Sequence, residues 1–126
     1  MRGTCKPVPT EIYVRPYWVS KGLVVWLVNE RLVRKYLYPT FTEGGHDRIY
    51  SFIPHGEVWV SSRLSSFKRK LVALHEVYER WNMGKGMSYN PAHRASVSLE
   101  NYYASLSPKH KDLEDRLTEE LIRQSR

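Results

Sequence analysis

The chain of 126 residues has room for one domain of modest core, and 41% hydrophobic with 26% charged residues is a globular rather than a disordered composition. Lys and Arg exceed Asp and Glu by 20 to 13, a net charge of +7 that favours acidic partners such as nucleic acid. The single cysteine, Cys5, excludes an internal disulfide framework and any Cys₄ or Cys₂His₂ zinc site, and no apolar run reaches the roughly 18 residues of a membrane span. Residues 1–10 have no apolar segment of the kind a secretory signal needs, so a flexible N-terminus and a cytoplasmic protein are expected.

The first half reads as strands. Glu11 to Arg15 is rich in β-formers and is expected to stop at Pro16. Leu23 to Val28 is a near-continuous apolar run of strand length. Leu32 to Tyr38, basic and aromatic, reads as the next strand, with Asn29-Glu30 as a two-residue turn before it. Pro39 ends that strand and Gly44-Gly45 is a backbone break. Arg48 to Ile53 reads as a short strand, Pro54-His55-Gly56 as a turn, and Glu57 to Ser61 as the last strand, with Trp59 read as core. Neighbouring strands joined by short turns are expected to pair antiparallel.

The second half reads as helices. Ser65 or Ser66 can cap a helix running to about Met83, with Phe67, Leu71, Leu74 and Tyr78 on one face. Gly84 and Gly86 mark its end. A second helix starts near Ser88 or Asn90, tolerates Pro91 in its first turn, and runs to about Leu106. From residue 108 a third, amphipathic helix repeats Leu113, Leu117 and Leu121, a stripe suited to packing or to a homodimer contact. Residues 107–126 carry five basic and five acidic side chains, so the whole +7 lies before them. The fold class is therefore α+β: one domain, an N-terminal antiparallel sheet and then about three helices.

Leu74-His75-Glu76-Val77-Tyr78-Glu79 carries the chemistry. His75 and Glu79 are four apart on a helix and project from one face, where imidazole and carboxylate can bind one metal ion. Glu76 is in the position that takes a proton from the attacking water in the motif H-E-x-x-H, whose second histidine is here Glu79. The ordinary alternative is hydrogen bonding along a helix, with Glu76 and Arg80 as an ion pair. A third ligand must come from elsewhere, and the reversal at Gly84 to Gly86 brings His93 near Glu79. Glu100 shares a face with His93 and could be a ligand in place of Glu79, or an acceptor that orients an imidazole. His46, with Glu43, could complete a metal site or contact substrate. His46, Tyr89 or an arginine could stabilise an oxyanion. His55 and His110 read as surface residues. A divalent ion is expected, foremost Zn²⁺, although a His₂Glu set suits other metals.

These residues carry a resemblance. Glu43-Gly44-Gly45-His46, Phe52-Ile53-Pro54 with Gly56-Glu57-Val58-Trp59-Val60, Leu74-His75-Glu76 with Glu79-Arg80, Met83, Gly86-Met87-Ser88-Tyr89 and Ala92-His93 resemble a family of small phage and prokaryotic proteins regarded as zincin-like metallopeptidases. The resemblance spans about residues 24–100 and is most specific from Leu74 to His93. It implies an α+β fold with a zincin-like helix pair, a metal site at His75, Glu79 and His93, and Glu76 as base. For a phage protein, the host cytoplasm or the virion is the expected location.

Two kinds of function follow. One is metal-assisted hydrolysis of a peptide or other amide, with Glu76 as general base. The other needs no catalysis: a basic nucleic-acid-binding module using Arg31, Arg34, Lys35 and Tyr36, or a structural or accessory phage protein dimerising through its last helix.

Overall fold

In the computed structural model, residues 7–20, 22–106, 119 and 123 are described. They fall into two compact units, one ending at Leu64 and the other beginning at Ser65. The third helix expected from residue 108 lies outside the described residues except at Glu119 and Arg123; of the start expected to be flexible over residues 1–10, residues 1–6 lie outside them, and Thr10 opens a short 3-10 helix, Thr10–Ile12.

The first unit is built on a four-stranded sheet in the order β1-β2-β4-β3. β1 is Tyr13–Ser20, β2 Leu23–Val28, β3 Gly44–His46 and β4 Glu57–Ser61. The sheet is mixed rather than antiparallel throughout. β1 with β2 and β3 with β4 are antiparallel, whereas β2 and β4 run parallel, with Trp26 opposite Trp59. β1 continues through Pro16 because it is an edge strand, where a missing N–H costs no ladder bond; register shifts lie on both sides of that residue.

Leu32 to Tyr38 is not a strand. Most of it belongs to α1, Glu30–Tyr36, whose N-cap is Asn29: its side chain accepts from the backbone N–H of Leu32 at 3.1 Å. Arg48 to Ile53 is a succession of turns, held by Ile49 and Tyr50 N–H groups donating to the carbonyl of His46. The core of this unit is Ile12, Val28, Val33, Phe41, Ile53 and Trp59, each no more than 1% exposed. Trp59 is core, as expected, and its indole N–H donates to Glu57 at 2.9 Å.

The second unit is a pair of helices. α2 spans Ser66–Gly84, and the Ser65 hydroxyl accepts from the backbone N–H of Lys68 as its cap. α3 spans Tyr89–Leu106 with Pro91 in its first turn. Between them Gly86 takes φ 110°, a conformation side chains resist, and Met87 N–H returns to the carbonyl of Asn82. Gly84 is the last helical residue, so only one of the two glycines does the turning. The α2–α3 contacts pair the middle of α2 with the later part of α3 and its end with the start of α3, so the helices are antiparallel. Ser96 is fully buried, and its hydroxyl donates to the carbonyl of His75 at 2.9 Å. Ala92 is likewise buried, so α3 presents small side chains where it approaches α2.

Candidate metal centre

Four residues expected from the sequence converge in the helix pair. His75 and Glu79 are one helical turn apart on α2; His93 and Glu100 come from α3. The imidazole Nε2 of His75 lies 3.3 Å from Oε2 of Glu79. The same carboxylate oxygen accepts from Nδ1 of His93 at 2.8 Å. On the other side of the His75 ring, Nδ1 donates to Oε1 of Glu100 at 2.8 Å. Two carboxylates therefore hold one imidazole by its two nitrogens. The two histidine rings meet edge to face, 5.0 Å between centroids.

This arrangement places Glu79 and Glu100 on opposite sides of the His75 ring. Glu79 lies on the Nε2 side of His75 together with His93, and one donor atom from each of the three falls within 4.8 Å of the others. Glu100 grips the opposite nitrogen, fixing the ring so that Nε2 faces Glu79. Lys68 stands 3.8 Å from the other oxygen of Glu100 and adds a positive charge behind it. His75 does meet Glu79 along its own helix, as the ordinary alternative expects, and α3 adds two further contacts, from His93 and Glu100.

The spacing suits an ion. A tetrahedral metal with bonds of about 2.1 Å keeps its ligand atoms about 3.4 Å apart. The separation of His75 from Glu79 is already of that size. The shorter approach of His93 is a hydrogen-bond distance. To reach that spacing His93 and Glu79 would have to separate by about 0.6 Å. His93 has the freedom to do so: its side chain is 41% exposed, whereas Glu79 is at 3%. A set of two imidazoles and one carboxylate is the donor set of catalytic zinc sites that keep a fourth position open.

The electrostatics follow from burial and from the density of carboxylates. Burial alone would lower the pKa of His75. Hydrogen bonds to Glu100 and Glu79, and the charges of Glu76 and Glu79, more than reverse this and raise it to about 10. Glu100 is correspondingly held below the usual carboxylate range, first by its bond from His75 and further by Lys68, against the opposing effect of burial. Glu76 goes the other way. Burial pushes its carboxyl up to about 8, helped by the charges of Glu79 and Glu100 and opposed by that of His75. One of its carboxylate oxygens lies within 4.8 Å of one of Glu79. At the start of α3, burial and the negative charges of Glu79 and Glu76 raise the phenol of Tyr89.

The remaining expected residues are described within their own unit. Glu43 and His46 belong to the first unit. His46 is fully buried in β3, with Nδ1 accepting the backbone N–H of Arg48 at 3.2 Å, and the carbonyl of Glu43 accepts from Ser61. Arg31, Arg34, Lys35 and Tyr36 are exposed on α1 rather than on a strand. Arg34 is committed to its own unit, bonding the Glu30 carboxylate at 2.6 Å and the carbonyl of Phe41 at 2.5 Å. His55 is exposed, as expected, and His110 lies outside the described residues. The sequence reading missed Ser96. Its position three residues after His93 and four before Glu100, on their shared face, was the available signal.

Among the described residues no helix is long and apolar enough to cross a membrane. No family model matches the chain, and no curated protein or solved structure matches it either.

Proposed function

We propose that the protein is a metal-dependent hydrolase of an amide bond, with His75, Glu79 and His93 as ligands and Glu76 as general base. The observation that supports this most strongly is the convergence of three donor atoms from two helices within 4.8 Å. A bound divalent ion, foremost Zn²⁺, would supply Lewis acidity, acidifying water and polarising the scissile carbonyl.

The chain's own residues do the rest. Glu100 holds the ring of His75 by Nδ1 and presents Nε2 to the ion. Glu76 takes a proton from the attacking water as its oxygen adds to the carbonyl carbon. It returns that proton to the amine nitrogen as the C–N bond breaks. A carboxyl raised to about 8 suits this exchange, because it holds or releases a proton near neutrality with little driving force either way. Metal binding must displace the proton that His75 carries on Nε2, so affinity is coupled to pH.

The test is metal analysis of protein purified without a histidine tag and then loaded with Zn²⁺. One equivalent per chain is expected, lost in His75→Ala and in His93→Ala. Glu76→Gln should retain the ion and lose hydrolysis of a dye-labelled peptide pool. A parent protein that takes up no ion removes the proposal; a Glu76→Gln variant as active as the parent removes the base assignment alone.

A further inference from the structure

We propose that the hydroxyl of Tyr89 is a catalytic hydrogen-bond donor to the reactant oxygen that gains negative charge during hydrolysis. The inference rests on the hydrolytic reading above and assigns a role that reading leaves unfilled.

Tyr89 is the first residue of α3, four before His93 and on the same face. Its ring stacks on the imidazole of His93, 5.2 Å between centroids and 25° between planes. Its hydroxyl lies 3.4 Å from Nδ1 of His93, the nitrogen that also meets Glu79. The phenol therefore stands beside the nitrogen closest to the three-donor cluster. It is also accessible: Tyr89 is 40% exposed, whereas Glu79 is at 2% and His75 at 9%.

The chemistry of the neighbours singles it out. Glu79 and Glu100 as anions accept but do not donate and repel a developing oxyanion, and Glu76 is taken up by its role as base. A neutral phenol donates without the cost of desolvating a charge. Arg94 follows His93 by one residue and so points about 100° round α3, and Arg80 is turned by the same angle from Glu79. The side-chain amide of Asn82 is a donor on the α2 face that carries His75, but its nitrogen is sealed from solvent. Tyr89 combines a contact with His93 and an exposed position.

The experiment uses the full chain loaded with Co²⁺, whose visible absorption reports coordination, and acetohydroxamate, whose oxygens chelate such an ion and place one near where the charged carbonyl oxygen would be. Tyr89→Phe keeps the stacked ring and removes only the hydroxyl. The Co²⁺ dissociation constant should stay within about twofold of the parent's, and that of acetohydroxamate should rise about tenfold, the equivalent of one lost hydrogen bond to a charged oxygen. An unchanged acetohydroxamate affinity overturns the proposal. So does loss of Co²⁺ from Tyr89→Phe, which would make the hydroxyl part of the ligand set. A parent that binds no Co²⁺ overturns the hydrolytic reading itself, a distinguishable result that takes this assignment with it.

Discussion

Glu100 accepts from Nδ1 of His75, on the side of the ring away from Glu79, and under the proposal would leave Nε2 for an ion. Glu100→Ala should weaken Zn²⁺ binding by about 10- to 100-fold in competition titrations, the usual consequence of releasing an orienting acceptor. Glu100→Gln, which still accepts through its carbonyl oxygen, should recover part of the loss. The protonation of His75 gives a second expectation. Its pKa is raised from 6.5 to about 10, so between these values each unit of pH should raise Zn²⁺ affinity up to tenfold as the competing proton is removed. Calorimetry in buffers of different ionisation enthalpy should show close to one proton released per ion at pH 7. Stability of chelator-treated protein follows the same sign. A raised folded pKa means that the contribution of His75 is complete below 6.5 and is lost as pH rises through about 10. Glu76 acts in the same direction between 4.5 and about 8. Thermal midpoints should therefore fall from pH 6 to pH 10, and Glu76→Gln should flatten the lower part of that decline.

At the scale of elements, the helix pair matters because it sets the distance between α2 and α3. Ser96 is buried at their contact and ties itself to the carbonyl of His75. Ser96→Val adds volume and removes that bond, so it should cost about 2 kcal/mol in denaturant unfolding and weaken metal binding as His93 and Glu100 are pushed away. Much of this pair was legible. The four-residue spacings of His75 with Glu79, and the reversal at Gly86, are local features that helix geometry converts directly into position. Which side of the His75 imidazole Glu79 and Glu100 each reach was not legible, because it depends on how α3 docks on α2. The first unit was harder to read. Asn29 serves turns and helix N-caps by the same side-chain acceptor, so a seven-residue helix passed for a turn and a strand. Its buried Glu30 is balanced by Arg34 nearby and by Arg63, 33 residues away, a pairing no local pattern contains. The parallel ladder of β2 and β4 likewise joins segments about 30 residues apart, whereas chain-neighbour pairing is the default expectation.

For the molecule as a whole, the proposed ligands lie on two helices joined by a short turn, so ion binding and helix docking would be one equilibrium. Zn²⁺ at one hundred times its dissociation constant should stabilise the folded state by about 2.7 kcal/mol. The change should be read as a rise in thermal midpoint reversed by a chelator, and as amide-exchange protection concentrated in α2 and α3. The +7 charge belongs to this scale too. It governs association with polyanions and its salt dependence, and it does not determine the fold. The central claim, that two imidazoles and one carboxylate of the helix pair share an ion, is tested most directly by X-ray absorption of the Zn²⁺-loaded protein. The account predicts a four-coordinate ion with two histidine nitrogens and two oxygens at about 2.0 to 2.2 Å, reduced to one imidazole or to no bound ion in His93→Ala. A shell without imidazole, or one containing sulfur at about 2.3 Å from Cys5, would contradict it.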